Sequence, residues 1–119
     1  MNKKWKKIKE AVLGKDFELS LVFTDSKLMR RLNEKYRGKR KVTTVLSFPL
    51  SKKTGEIFLN LPLIKKEAKK LELDAEQYKI YLFIHSLLHL KGYRHGKEMN
   101  RKEQKILRNY YGQKNHHGN

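Results

Sequence analysis

The sequence predicts an α+β fold: a small mixed β-sheet of about three strands, packed with about five helices. Three observations carry this. Apolar residues recur at helical spacing in five segments and alternate in three short ones between them. The segment 75–91 is apolar almost all round, as expected of a central buried helix. At 119 residues the chain can bury one core, and no repeat, linker or low-complexity stretch divides it. Residues 1–119 therefore read as a single domain, with 113–119 as a frayed, disordered tail.

Residues 3–13 place Trp5, Ile8, Val12 and Leu13 on one side of an amphipathic helix. Phe17 to Phe23 alternates, with Phe17, Leu19, Leu21 and Phe23 on one face of a strand. Thr24, Asp25 and Ser26 offer caps for a second helix, which turns Leu28, Met29, Leu32 and Tyr36 inward and ends near Arg37-Gly38. A basic loop leads to a strand over Val42–Phe48, stopped by Pro49. A turn at Lys52–Gly55 joins it to a third strand, Glu56–Leu59, as a hairpin. Asn60 caps the next helix, with Pro62 in its first turn and Leu61, Ile64, Ala68 and Leu71 as its stripe. Asp74 and Gln77 form a capping box for the central helix Ala75–Lys91. Met99–Tyr111 reads as a last, exposed basic helix.

Composition narrows the chemistry. With no cysteine, disulfides, thiolate metal sites and thiol nucleophiles are excluded, leaving histidine and carboxylate as strong zinc ligands. No signal peptide is visible, and the longest apolar run, near Tyr78–Leu90, is too short to span a bilayer. A cytoplasmic protein without a membrane partner is expected. The net charge of +17, from 29 basic against 12 acidic residues, points to a polyanion, with nucleic acid ahead of an acidic membrane. That charge is concentrated. Residues 25–53 carry ten basic and two acidic groups, whereas 54–74 balance at four and four.

The sharpest signal is His85-Ser-Leu-Leu-His89-Leu-Lys-Gly92-Tyr-Arg-His95. Four residues apart on a helix, His85 and His89 share a face. Gly92 suits the left-handed turn that ends a helix and folds His95 back toward them. Three converging imidazoles make an open zinc site, one ion per chain. Zinc peptidases with this spacing carry a glutamate base after the first histidine, and here Ser86 stands there, so that chemistry loses its base. A hydrolase using other groups, or a structural zinc with a fourth ligand such as Glu56 or a tail histidine, remains. An open site on a basic chain favours phosphodiester hydrolysis with an arginine clamp, and Arg37 is one of many candidates.

The ordered motifs Leu32-Asn33-Glu-Lys-Tyr36-Arg37-Gly38-Lys39, Thr43-Thr-Val45-Leu46-Ser47-Phe48-Pro49 and Gly55-Glu-Ile57, with the histidine run and then Met99 and Glu103, resemble the YbeY family of bacterial rRNA-processing endoribonucleases. The resemblance covers nearly the whole chain. It implies a zinc-dependent, single-strand-specific endoribonuclease that matures the 3′ end of small-subunit rRNA and acts in ribosome quality control. Its implied partners are single-stranded RNA, small-subunit rRNA and the ribosome, with no specificity for DNA. It also implies His85, His89 and His95 as metal ligands, with Arg37 and His85 as catalytic residues. The chain departs from the family pattern at Ser86 (usually Gly), Arg94 (usually Asp), Thr44 (usually Asp or Asn) and Glu56 (usually Asp). The family's N-terminal strand is expected to be absent, because the chain begins near the first helix.

Beyond these, Arg40, Lys41, Lys52, Lys53, Tyr93 and Arg94 are candidates to line an RNA groove, and Tyr36, Tyr81 and Tyr93 to stack on bases. Tyr81 and Phe48 read more readily as core, Ser47 as cleft wall, and His116 and His117 as non-functional. Two other functions stay open. One is a non-catalytic ribosome- or RNA-binding protein with a structural zinc; the other is a zinc peptidase with a base from elsewhere.

Overall fold

The computed structural model describes residues 1–38 and 42–112, with the side chains of 111 and 112 left out. Arg40, Lys41, the tail 113–119 and its two histidines lie outside the described residues. The elements follow the order α1 (Lys3–Leu13), β1 (Glu18–Thr24), α2 (Ser26–Arg37), β2 (Val45–Ser51), β3 (Thr54–Asn60), α3 (Leu61–Lys70), α4 (Ala75–Lys91) and α5 (Lys97–Leu107), closed by one π-helical turn at Arg108–Gly112. The sheet is mixed, as expected. β3 lies in the middle, parallel to β1 and antiparallel to β2.

Register sets the faces of the sheet. Leu21 and Ser47 both pair with Ile57, and Phe23 and Val45 both pair with Leu59. Ile57 and Leu59 are fully buried in the main core, together with Trp5 and Ile8 of α1 and Phe83, Ile84 and Leu87 of α4. Trp5 stacks on Phe83 with ring centres 4.2 Å apart. α4 is thus enclosed as its composition predicts, and its ends fall where the caps put them. Asp74 Oδ2 accepts from the Gln77 amide at 2.9 Å, and Gly92 takes the left-handed conformation at φ 111°.

Several expectations need correction. β2 does not stop at Pro49 but runs through it to Ser51, with a register shift between Pro49 and Ser51. Pro49 lacks an N–H for a ladder, but β2 is an edge strand, where proline and bulges are tolerated. The inward line of α2 is Met29 and Asn33, while Leu28 and Tyr36 are exposed. The helix meets the sheet along one narrow row, so residues flanking it stay in solvent. Phe23 is 53% exposed at the end of edge strand β1, touching Trp5 edge-on. Leu71 forms the C-cap of α3 and is exposed rather than completing its stripe. The last helix starts at Lys97 and is not wholly exposed, because Met99 and Glu103, four apart, face inward.

Asn60 ties these pieces together. Fully buried, it caps α3 by accepting from Leu63 N at 3.3 Å and donates to Ser26 Oγ at the start of α2 at 3.0 Å. Its backbone N–H donates to the Thr44 carbonyl, which fixes the approach to β2. Gly55 makes a different contact: a Cβ there would lie 3.2 Å from Leu90 and from Phe17. Gly55→Ala should therefore cost about 1 kcal/mol by overpacking. A lower urea midpoint at unchanged m-value checks this, and an unchanged or higher midpoint would contradict it.

Candidate metal centre

α4 presents His85 and His89 on one face, and the turn at Gly92 returns the chain so that His95 completes a triangle. Ring centres are 4.6, 5.0 and 4.6 Å apart. One nitrogen from each ring lies within 4.8 Å of the others, and among the described residues this is the sole histidine–carboxylate cluster able to hold a metal. His85 and His89 are half-buried and His95 is exposed, so the triangle opens to solvent on one side.

Hydrogen bonds fix the tautomers. His89 Nδ1 donates to the Tyr93 carbonyl at 3.1 Å, a backbone oxygen that can only accept. His85 Nδ1 is bonded to Oε2 of Glu103, a carboxylate that is only 1% exposed. With both Nδ1 atoms carrying protons, the unprotonated Nε2 atoms face each other at 3.1 Å. Two lone pairs directed into one space repel unless a cation or a proton sits between them. Burial, then the adjacent His85, holds the His89 pKa below the ordinary histidine value, which keeps it a neutral ligand. Three converging imidazoles, with the far nitrogens of His85 and His89 held by acceptors, suit zinc among the common divalent ions.

Glu103 carries the second half of the design, since a buried carboxylate is costly unless matched by positive charge. Its one ion-pair partner among the described residues is His85. A metal on the opposite nitrogen of that ring would supply the balancing charge. Tyr81 packs against the same ring at 6.0 Å, and its hydroxyl pKa is raised by burial first and by the Glu103 charge second. Glu103→Ala should weaken metal binding about 10–100-fold, and Glu103→Gln, which keeps an acceptor, should weaken it less. Titration against a competing chelator reads this directly. Equal affinity in all three proteins would show that the contact does not orient His85.

The triangle forms one wall of a cleft of about 630 Å³. Its other walls come from edge strand β2, through Val45, Ser47, Phe48 and Pro49, and from the end of α2, through Tyr36 and Arg37. Phe48 is therefore cleft wall rather than core, its ring 5.3 Å from Tyr36. Arg37 is set at this rim because Gly38 ends α2 in a left-handed turn, its N–H bonded to carbonyls of Asn33 and Glu34. Ser86 is buried and its hydroxyl donates to the Leu82 carbonyl at 2.9 Å.

The family model described as endoribonuclease YbeY matches residues 1–111. The chain belongs to the YbeY family. Endoribonuclease YbeY of Persephonella marina is 36% identical over 109 residues, spanning 85% of this chain and 70% of that protein. That of Campylobacter jejuni is 39% identical over 101 residues, spanning 78% and 75%. A solution structure of a Thermotoga maritima protein superposes with a TM-score of 0.70 at 27% identity, covering 96% of this chain and 81% of that one.

Within this YbeY domain the structure brings together His85, His89, His95 and Arg37. Others stand apart from the cleft. Tyr93 packs its ring against the core and serves the site through its carbonyl. Arg94 lines a neighbouring depression formed by 92–98, which meets the cleft at His95, and Lys52 lies on the β2–β3 turn. Glu56 is not in the metal cluster. Glu103 was visible in the YbeY spacing without a role. Its distance of four residues from Met99 on an amphipathic helix was the signal that it faces inward.

Proposed function

We propose that this chain is a zinc-dependent, single-strand-specific endoribonuclease that matures the 3′ end of small-subunit rRNA in the cytoplasm and acts in ribosome quality control. Membership of the YbeY family supports RNA cleavage as the activity. The observation that carries the reading is that the histidine triangle and Arg37 line one open cleft.

His85, His89 and His95 would hold the ion. When bound, it supplies Lewis acidity toward a phosphoryl oxygen and lowers the pKa of a water molecule. Arg37, lining the same cleft, offers a planar fork of donors to the phosphate oxygens as charge develops on them. Glu103 and the Tyr93 carbonyl keep the two helical imidazoles in the metal-binding tautomer throughout. Tyr36 and Phe48, tilted against each other at the rim, offer apolar rings to an unpaired base. The peptidase reading gains no support, since the Ser86 hydroxyl is buried and engaged with Leu82.

Purified protein should cut an unstructured RNA and spare a perfect duplex. Chelation should stop cutting and zinc should restore it. Protein that binds rRNA with zinc in place and never cuts it would leave the structural-zinc, ribosome-binding reading in its stead.

A further inference from the structure

A second groove, of about 650 Å³, runs along the outer face of α2. It is lined by Lys27, Arg30, Arg31 and Lys35 with Leu28 and Leu32, and Glu34 is its one acid. It meets the metal cleft at Tyr36, which lines both. Lys35 leans over that ring, its ammonium 5.2 Å from the centre, so positive charge reaches the junction. Among the described residues none of Lys27, Arg30 and Arg31 is engaged in an ion pair. From Lys27 to Arg37 the basic side chains follow the helix axis for about 15 Å and end at the catalytic cleft.

We infer that this face of α2 is the track for the single-stranded RNA flanking the scissile bond, gripping its phosphates as the chain leaves the cleft past Tyr36. Charge complementarity and continuity with the cleft select this occupant. A row of cations spread along a helix, with Lys27, Arg30 and Arg31 outside any ion pair among the described residues, suits a repeating backbone rather than a compact anion. The short aliphatic surface of Leu28, Leu32 and Tyr36 adds contact for ribose and base. The inference rests on the proposed RNA substrate, but binding tests it separately from cutting.

Fluorescence anisotropy in chelator, where nothing is cut, would compare a short RNA of about 4 nucleotides with an unstructured one of about 14, the range of known single-strand site sizes. In K27Q/R30Q/R31Q, affinity for the long RNA should fall about tenfold, and the slope of log K against log salt should shrink by about 2, since each lost phosphate contact removes about 0.7. The short RNA should bind as it does to the parent chain. Neutralising three exposed lysines on α3 instead, K65Q/K66Q/K69Q, should change neither probe comparably. An equal loss in that control, or equal loss for both RNA lengths, would reduce the effect to overall charge and overturn the track. Loss toward anionic lipid vesicles with none toward RNA would assign the face to a membrane and overturn it as well. If the long RNA needs α2 for binding but is never cut, the track stands and the nuclease proposal falls.

Discussion

His89→Ala should lose the metal and, with it, RNA cleavage, while leaving the fold in place. A structural zinc ion contributes about 10–16 kcal/mol of binding. Shared among three or four ligands, that is about 3–4 kcal/mol each, or roughly two to three powers of ten in affinity. His89 is only half-buried, so truncation opens space beside the cleft rather than in the main core. In the metal-free protein the mutation also removes one of the two lone pairs facing each other at 3.1 Å. The metal-free variant should therefore unfold at close to the parent midpoint, whereas the rise that zinc gives the parent should be missing. A zinc-induced rise of full size in His89→Ala would exclude this imidazole as a ligand.

The pH dependence of metal binding has a definite sign. Protons compete with the ion for each Nε2, and the His89 pKa lies below the ordinary value of 6.5 because burial and His85 oppose its charge. Proton competition at His89 should therefore set in only as pH falls below the ordinary histidine value, as a chelator-competition titration across pH would read.

The histidine triangle was legible from the sequence because all of it is local. Two histidines on one helical face and a glycine in the exit turn need no knowledge of the rest of the fold. The caps Asp74 and Asn60 were legible for the same reason: their hydrogen bonds reach three residues along the chain. What depended on packing between distant segments was not. That β2 runs through Pro49 follows from its place at the sheet edge, which no local pattern declares. Phe48 alternates like a core residue, but the face it occupies ends in the cleft beside Tyr36. Arg37 could not be distinguished from its basic neighbours by composition. The family resemblance selected it, and it lines the same cleft as the histidines. The role of Glu103 was hidden by its type, since an acid on a basic helix reads as solvated until a partner such as His85 explains its burial.

Arg37→Ala should lower kcat about 10²–10³-fold, the loss expected when one preorganised donor to a developing oxyanion is removed, or roughly 3–4 kcal/mol. Its effect on stability should be far smaller. Arg37 is exposed and in the last turn of α2, where a cation gains only about 0.3–1 kcal/mol from the helix dipole. Activity and stability thus separate by several-fold in energy, which a folding defect would not produce. Metal content should be unchanged, because Arg37 is not part of the histidine cluster. Arg37→Lys keeps the charge but loses the planar fork, so it should recover only part of the rate. The division between kcat and KM decides what the residue does. A large rise in KM with kcat preserved would make Arg37 one more backbone tether, continuous with the basic face of α2. A fall in kcat at near-constant KM would assign it to the transition state, the role its place in the same cleft as His85 supports.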